Sequence, residues 1–176
     1  MIPRHEAAPA VLLHFSEDST IERFVPHVPA TNPTQPPLVW TVDPLHQALY
    51  WFPRSCPRVT WWRGPETTKA DADRWLGRFP RVHVLERTWR ARLSACGLHT
   101  YAFDPAPFVP WPDADGYWVS SVEVTPRDCG PTGDLVQRHA AAGIDLRVVE
   151  DLRPVWDEVI RTTLAFSGCR LPPTIR

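Results

Sequence analysis

The sequence predicts one α+β domain with flanking helices and a mixed, mostly antiparallel sheet of about seven strands. Strand-like apolar runs are interspersed with segments of helical periodicity, and no repeat, linker or charge block divides them. An open α/β sheet is the alternative, although no Gly-rich turn joins a strand to a helix as that fold would favour. The length of 176 residues also fits one domain. We place this domain at residues 11–176, after a flexible leader at residues 1–10.

The predicted strands are short apolar or alternating runs. They lie at residues 11–15, 38–42, 58–62, 81–86, 98–103, 117–125 and 144–150. The run at 117–125 fits one bent strand or two short ones. Residues 26–37 contain so many prolines that we expect a stiff loop. We also expect irregular structure at residues 105–115 and in the tail at 167–176.

The predicted helices begin at capping residues and end near Gly or Pro. They lie at residues 43–52, 67–76, 89–96, 134–142 and 154–166, with a short helical turn at 19–23. In the helix at 43–52, Asp43 is the cap, Pro44 occupies the first turn and Pro53 ends the helix. Its periodicity predicts a buried face made of Leu45, Ala48, Leu49 and Phe52.

Composition and charge argue against several classes of function. The net charge is −1 and the basic residues are dispersed, so we do not expect nucleic acid as a partner. The longest apolar stretch is short and contains His14, which argues against a membrane span. The N-terminus lacks a signal-peptide core and cleavage pattern, so we expect a cytoplasmic protein. The nine tryptophans leave a homodimer open, because Trp is favoured at interfaces.

The cysteines do not form a metal or redox motif, because no two of them are close in sequence. They are Cys56, Cys96, Cys129 and Cys169. We therefore expect free thiols, mostly buried, and no metal site. Cys56 with His14 or His46 could still act as nucleophile and base, which would make the protein a hydrolase. Nothing in the sequence around Cys56 would activate its thiol, however.

Side chains beside the first two strands are candidates for a binding site. His14 ends the first strand, where an imidazole can bind a ligand hydroxyl or act as a base, and Ser16 follows it. The alternative for His14 is a hydrogen bond to nearby backbone. His46 and Tyr50 are four residues apart on the predicted helix, so they share a face. With Trp40 they could line a cleft, although for His46 we favour the alternative of a half-exposed helix face.

Two charged residues are further candidates. Arg54 follows the helix at 43–52 and could bind a phosphate or carboxylate, or else the carbonyl groups that end the helix. Glu123 lies in the alternating sequence SSVEV and could be a catalytic carboxylate or a solvent-facing strand residue. The sequence has no metalloprotease, serine-hydrolase or phosphate-loop motif that would decide the reaction.

Four parts of the sequence resemble an uncharacterised bacterial family, a domain of unknown function. They are LLHFSED with IERFVPH, PLVWTVDPLHQALYWFPRSCPRV, YWVSSVEVTP, and LRPVWDEVI with LAFSGCRL. The resemblance extends over residues 11–171. It implies family membership and no particular activity.

A more distant resemblance is to the ADP-ribosyltransferase-like fold. The shared pattern is a strand ending in His, a loop, a strand followed by a helix bearing an aromatic residue, and a late strand with a polar centre. The resemblance implies that His14 contacts the ribose of NAD and that Tyr50 stacks on nicotinamide. It implies that Glu123 stabilises the cation formed as the glycosidic bond breaks. NAD would then be a substrate rather than a tightly bound cofactor, and ADP-ribose would be transferred or hydrolysed. A non-catalytic module that binds a ligand or a protein is the alternative.

Overall fold

The computed structural model describes residues 9–29 and 32–171, which contain ten strands and four α-helices. The predicted α+β class is confirmed. The strands form two mostly antiparallel sheets, of six and four strands, where we expected one sheet of about seven. Most of the predicted leader, residues 1–8, lies outside the described residues.

The strands outnumber the helices and are spread along the whole described chain. The strands are β1 (Leu12–Ser16), β2 (Val39–Val42), β3 (Arg58–Trp62), β4 (Arg81–Glu86), β5 (His99–Phe103), β6 (Val109–Pro110), β7 (Tyr117–Ser120), β8 (Asp128–Pro131), β9 (Asp145–Val149) and β10 (Ala165–Cys169). The helices are α1 (Lys69–Trp75), α2 (Arg90–Ala95), α3 (Leu135–Ala141) and α4 (Leu152–Val159), with 3-10 turns at Gln47–Tyr50 and Arg87–Trp89. Every predicted strand overlaps an observed one, whereas β6, β8 and β10 were not predicted.

The chain divides into two compact units, each built around one sheet. The first unit comprises Met1–Tyr50 with Gly97–Thr132, and the second comprises Trp51–Cys96 with Gly133–Arg176. The sheet of the first unit is antiparallel throughout and has the order β6-β7-β2-β1-β5-β8. The sheet of the second unit has the order β10-β3-β4-β9, and its β4–β9 pair is parallel.

Each unit has its own apolar core, which holds its sheet against the covering segments. In the first unit the core residues are Leu12, Phe24, Val39, Tyr101, Phe103, Phe108 and Val124. In the second unit α1 and α4 pack on one face of the sheet, and the core residues are Val59, Trp61, Ala72, Leu76, Val82, Val84, Leu152, Val159 and Leu164.

The predicted helical turn at 19–23 is wrong, because side chains satisfy that backbone in another way. The Asp18 carboxylate accepts hydrogen bonds from the backbone N–H and the hydroxyl of Thr20, at 2.8 and 2.7 Å. The N–H of Ile21 donates to the hydroxyl of Tyr101 at 3.1 Å. Such local contacts compete with helix formation.

The predicted helix at 43–52 is reduced to a turn and the 3-10 helix Gln47–Tyr50. Its hydrogen bonds join residues three apart, as between the N–H of Leu49 and the carbonyl of His46 at 3.0 Å. Three residues per turn shift the apolar face, so Leu45 is 80% exposed rather than buried. The other residues of the predicted face are buried.

The last predicted helix, at 154–166, is wrong at both ends. It begins earlier, as Leu152–Val159, because the carboxylate of Asp151 accepts from the N–H of Arg153 at 2.9 Å and caps it. The apolar residues that extended the pattern belong to the strand Ala165–Cys169, which also includes the start of the predicted irregular tail. Short apolar runs fit a helix or a strand equally well.

The four cysteines are free, as predicted, but only Cys56 is fully buried. The expectation that they are mostly buried is therefore wrong, and Cys129 is exposed. Within residues 9–29 and 32–171, no helix is long and apolar enough to cross a membrane.

Candidate active site

A pocket of about 730 Å³ opens in the first unit where β2 ends and β7 begins. Asp43 and His46 line it from the segment after β2, and Trp111, Asp115 and Tyr117 line it from the segment that leads into β7. A pocket of this size can hold a small molecule or one part of a nucleotide.

An aspartate and a histidine form the most polar part of this pocket. Asp43 Oδ1 accepts two hydrogen bonds from His46, one from its backbone N–H and one from Nδ1, each at 2.8 Å. The two side chains are 17% and 21% exposed. Because a carboxylate can only accept, the neutral imidazole carries its proton on Nδ1, and Nε2 is left as an acceptor. No hydrogen bond reaches Nε2 from the described residues, so this nitrogen is available as a base.

The His46 ring packs directly against Gly116, where a larger residue would overlap it. The backbone N–H of Asp43 donates to the carbonyl of Gly116 at 2.9 Å, which joins the two segments of the pocket. A Cβ atom added to Gly116 would lie 2.1 Å from His46 Nδ1, and the φ angle of Gly116 is +82°. Only glycine combines this close approach with a positive φ angle at little cost.

Five aromatic side chains form a cluster that begins at the pocket. They are Phe15, Trp40, Tyr50, Trp111 and Tyr117, and each is half-buried. The ring centroids of Trp40 and Trp111 are 4.9 Å apart, and those of Tyr50 and Tyr117 are 6.0 Å apart. Tyr50 also stacks on Phe15, with centroids 6.2 Å apart. Trp111 and Tyr117 belong to both the cluster and the pocket, so the cluster gives the pocket an aromatic wall.

The charge in the pocket is acidic. Asp43 and Asp115 contribute carboxylates, and no Lys or Arg occurs among the described residues that line it. Asp115 is exposed and makes no ion pair with any residue in the described part of the chain. Across residues 9–29 and 32–171 there is no cluster of three His, Cys, Asp or Glu side chains that could hold a metal ion.

His14 lies on the opposite face of the sheet from the aromatic cluster. Its Nδ1 donates to the carbonyl of Trp40 at 2.8 Å, and its ring meets the ring of Phe24 edge-on at 4.9 Å. Successive strand residues point to opposite faces, and Phe15, the next residue, stacks on Tyr50. The structure therefore does not bring His14 and Tyr50 around one pocket.

Glu123 and Ser16 each contact a residue of the 17–23 segment. Glu123 follows β7, is exposed, and pairs with Arg23 at 3.3 Å. Ser16 ends β1, and its hydroxyl accepts from the N–H of Asp18 at 3.1 Å in a turn. Both residues make ordinary surface contacts, and neither lines the acidic pocket.

Arg54 and Cys56 belong to the second unit. Arg54 lies in an exposed turn, just before Ser55, whose φ angle is 65°. The Cys56 thiol donates to the carbonyl of Pro57 at 3.5 Å. Burial raises the pKa of this thiol to about 12, and nearby Arg58 offsets that shift only in part. A thiol that stays protonated is a poor nucleophile, so these features disfavour hydrolase chemistry at Cys56.

Sequence reasoning found part of the pocket and missed the rest. Of the candidate residues, His46 lines the pocket, and Trp40 and Tyr50 lie in the adjoining aromatic cluster. The chemical role of Asp43 and the whole of the 111–117 segment were not predicted. Two signals were present in the sequence. An Asp three residues before a His can contact it on a tight turn, and Asp-Gly favours a turn with a positive φ angle.

Comparison with known proteins shows the family of this chain. The chain belongs to a family of unknown function, DUF6886, whose model matches residues 13–173. Neither the curated proteins nor the solved structures include a match to it.

Proposed function

We propose that this member of the family binds the nicotinamide-riboside end of NAD, or another flat cationic ring, in the acidic pocket of the first unit, and that it transfers or hydrolyses ADP-ribose there. One observation carries the proposal. The side chains of Trp111 and Tyr117 line the same pocket as the carboxylates of Asp43 and Asp115, and no Lys or Arg occurs among the described residues of the lining.

The ligand class follows from this combination of rings and charge. The nicotinamide ring of NAD is flat and positively charged. A cation over an aromatic face gains about 0.5–2 kcal/mol, and nearby carboxylates add a favourable Coulomb interaction. A bare phosphate or sulfate would be repelled by the same carboxylates. The diphosphate of NAD would therefore lie outside this pocket, towards solvent.

The same carboxylates suit cleavage of the bond between nicotinamide and ribose. As that bond breaks, positive charge moves from the ring to the ribose. A carboxylate near the ribose stabilises the transition state more than the ground state, and this difference accelerates the reaction. The proposal assigns that role to Asp115, which makes no ion pair within the described residues, rather than to Glu123, which pairs with Arg23.

A non-catalytic binding module is the second candidate. It is favoured because His14 and Glu123, to which the resemblance gives the catalytic contacts, do not line the pocket. Such a module would bind the same ligands without consuming them.

The test is calorimetric titration with pairs of similar ligands, one with a cationic ring and one with a neutral ring. We expect 1-methylnicotinamide, a cation, to bind more tightly than neutral nicotinamide, and NAD to bind more tightly than NADH. Asp115→Asn should weaken binding of 1-methylnicotinamide by about five- to tenfold, the equivalent of about 1 kcal/mol. Glu123→Gln is the matched control, because it removes an exposed carboxylate outside the pocket, and it should leave affinity unchanged.

The outcomes below decide between the candidates and test the site. Release of nicotinamide from NAD by the wild-type protein supports transfer or hydrolysis, whereas binding without release supports the non-catalytic module. Equal affinity for nicotinamide and 1-methylnicotinamide would overturn the proposed site. A loss of turnover in Glu123→Gln but not in Asp115→Asn would return the catalytic role to Glu123.

A further inference from the structure

We infer that His46 is the general base of this pocket and takes a proton from the acceptor, water or an alcohol, that attacks the ribose, while Asp43 and Gly116 are positioning residues. This inference rests on the proposed function and adds a reaction step to it. It depends on the hydrogen bonds of one imidazole and on the glycine against which that imidazole packs.

The proton on His46 is held on Nδ1, the nitrogen that faces Asp43. Asp43 Oδ1 lies 2.8 Å from Nδ1 and cannot donate when ionised, so Nδ1 keeps its proton and Nε2 keeps its lone pair. The same carboxylate stabilises the imidazolium that forms when Nε2 accepts a proton. A carboxylate that orients a histidine in this way serves the base without itself taking the proton.

Close packing against Gly116 also fixes the orientation of the ring. Gly116 contributes no side chain, and a Cβ there would lie 2.1 Å from Nδ1 and 2.3 Å from Cγ of His46. The backbone N–H of Asp43 donates to the Gly116 carbonyl, so the carboxylate and the glycine are held together. A base held at one orientation loses less entropy in reaching its working geometry.

Hydrolysis by this route balances in atoms and electrons. The bond between C1′ of the ribose and the ring nitrogen of nicotinamide breaks, and its electron pair stays on nicotinamide, which leaves as a neutral molecule. The oxygen of water forms the new bond to C1′. One proton of that water passes to Nε2 of His46 and then to solvent. An alcohol in place of water gives transfer of ADP-ribose by the same proton path.

The charged and titratable groups around His46 are few among the described residues. Asp43 contacts it from its own segment. Asp115 and Tyr117 line the same pocket from the opposite segment, and no Lys or Arg does so in the described lining. A loss of turnover in His46→Ala can therefore be distinguished from an effect of the carboxylates by means of Asp115→Asn.

The experiment measures NAD affinity and nicotinamide release in wild type, His46→Ala and the matched control His27→Ala, which removes an exposed histidine of the same unit. We expect His46→Ala to bind NAD within about threefold of wild type and to lose at least about a hundredfold in turnover, the usual contribution of general-base catalysis. Added imidazole should restore part of that turnover in His46→Ala and have no effect on wild type or His27→Ala. Asp43→Asn should lower the turnover number more than it changes the Michaelis constant.

The outcomes separate this inference from the proposed function. NAD that binds but is never cleaved, or turnover that survives in His46→Ala, overturns the general base and leaves the binding proposal standing. NAD that does not bind overturns both. A nitrogen-15 spectrum of the folded protein gives a check that needs no turnover, because the inference requires the His46 proton on Nδ1, and a proton on Nε2 of the neutral ring would overturn it.

Discussion

His83 donates a hydrogen bond from Nδ1 to Nε2 of His139 inside the second unit, and the two nitrogens are 2.9 Å apart. The direction follows from the next contact, since His139 Nδ1 lies 2.6 Å from the carbonyl of Leu135, which can only accept. Both histidines have an exposed fraction of 0%. His83 Nε2 is buried and has no hydrogen-bond partner in the described part of the chain. The hydrogen bond runs in this direction only while Nε2 of His139 is unprotonated.

We expect the free energy of unfolding to fall as the pH drops below 6.5, the ordinary pKa of histidine. Burial lowers the pKa of His83 well below that value, and the neighbouring His139 lowers it further. Burial also lowers the pKa of His139. The unfolded chain then binds protons that the folded chain excludes, so stability is complete above pH 6.5 and is lost from there towards the lower folded pKa values. Each excluded proton contributes up to about 1.4 kcal/mol per pH unit. Urea denaturation at a series of pH values measures this slope.

The control for this pH dependence is His27→Ala, which removes an exposed histidine and should leave the slope unchanged. The double variant His83→Phe with His139→Leu should flatten it. In a nitrogen-15 titration of the wild type, His83 and His139 should stay neutral at a pH where the unfolded chain is protonated. Protonation of both rings near pH 6.5 in the folded protein would contradict the assignment, because no proton uptake would then be coupled to unfolding.

The Cys56 thiol should be unreactive in the native protein. Its pKa of about 12, raised by burial, leaves about one thiolate in ten thousand molecules at pH 8. We expect a thiol reagent to label the exposed Cys129 quickly and Cys56 only after unfolding. Cys129→Ser should remove the fast reaction. Rapid labelling of Cys56 in folded Cys129→Ser would revive the thiol-hydrolase alternative.

The strands that the sequence predicts best are those whose own residues carry an apolar or alternating pattern. Arg58–Trp62 and Arg81–Glu86 are observed as predicted, because their side chains alternate or fill a core. Asp128–Pro131, with the sequence DCGP, has no such pattern. It is an edge strand that pairs with β5, so its structure depends on the backbone of a partner rather than on its own side chains. The division into two sheets depends likewise on which distant strands pair.

The candidate site shows the same limit. Asp43 was interpreted as a helix cap, and it does accept from the backbone N–H of His46, but the tight turn also brings the His46 ring to the same oxygen. Asp115 and Tyr117 line the same pocket as His46 because β7 pairs with β2. The resemblance to the ADP-ribosyltransferase-like fold implied that His14 and Tyr50 lie around one site. Side chains alternate between the two faces along β1, so His14 contacts Phe24 on one face and Phe15 contacts Tyr50 on the other.

Tyr101→Phe should destabilise the segment that replaces the predicted helical turn. The Tyr101 hydroxyl donates to the carbonyl of Asp18 at 2.7 Å and accepts from the N–H of Ile21 at 3.1 Å, and the side chain is fully buried. Losing this hydroxyl leaves two backbone groups without their partner, which should cost about 1–3 kcal/mol. Denaturation measures the loss, and hydrogen exchange at the Ile21 amide should accelerate. Tyr117→Phe is the control, because its hydroxyl makes no hydrogen bond with the described residues. Equal effects of the two variants would show that the hydroxyl contacts of Tyr101 contribute nothing.

Gly116→Ala tests the packing of the His46 ring directly. The added methyl group would meet His46 Nδ1 at 2.1 Å, and the φ angle of +82° is unfavourable for alanine. Gly133→Ala provides the matched control, because its φ angle is +86° and nothing lies within 4 Å of the added Cβ. Both variants should lose about 1–2 kcal/mol from the left-handed backbone, so a greater loss in Gly116→Ala measures the contact with His46. The nitrogen resonances of His46 should also shift in Gly116→Ala and stay in place in Gly133→Ala. Equal losses with unshifted resonances would mean that the ring does not rest on Gly116, and the hydrogen bond to Asp43 would then be the remaining cause of its orientation.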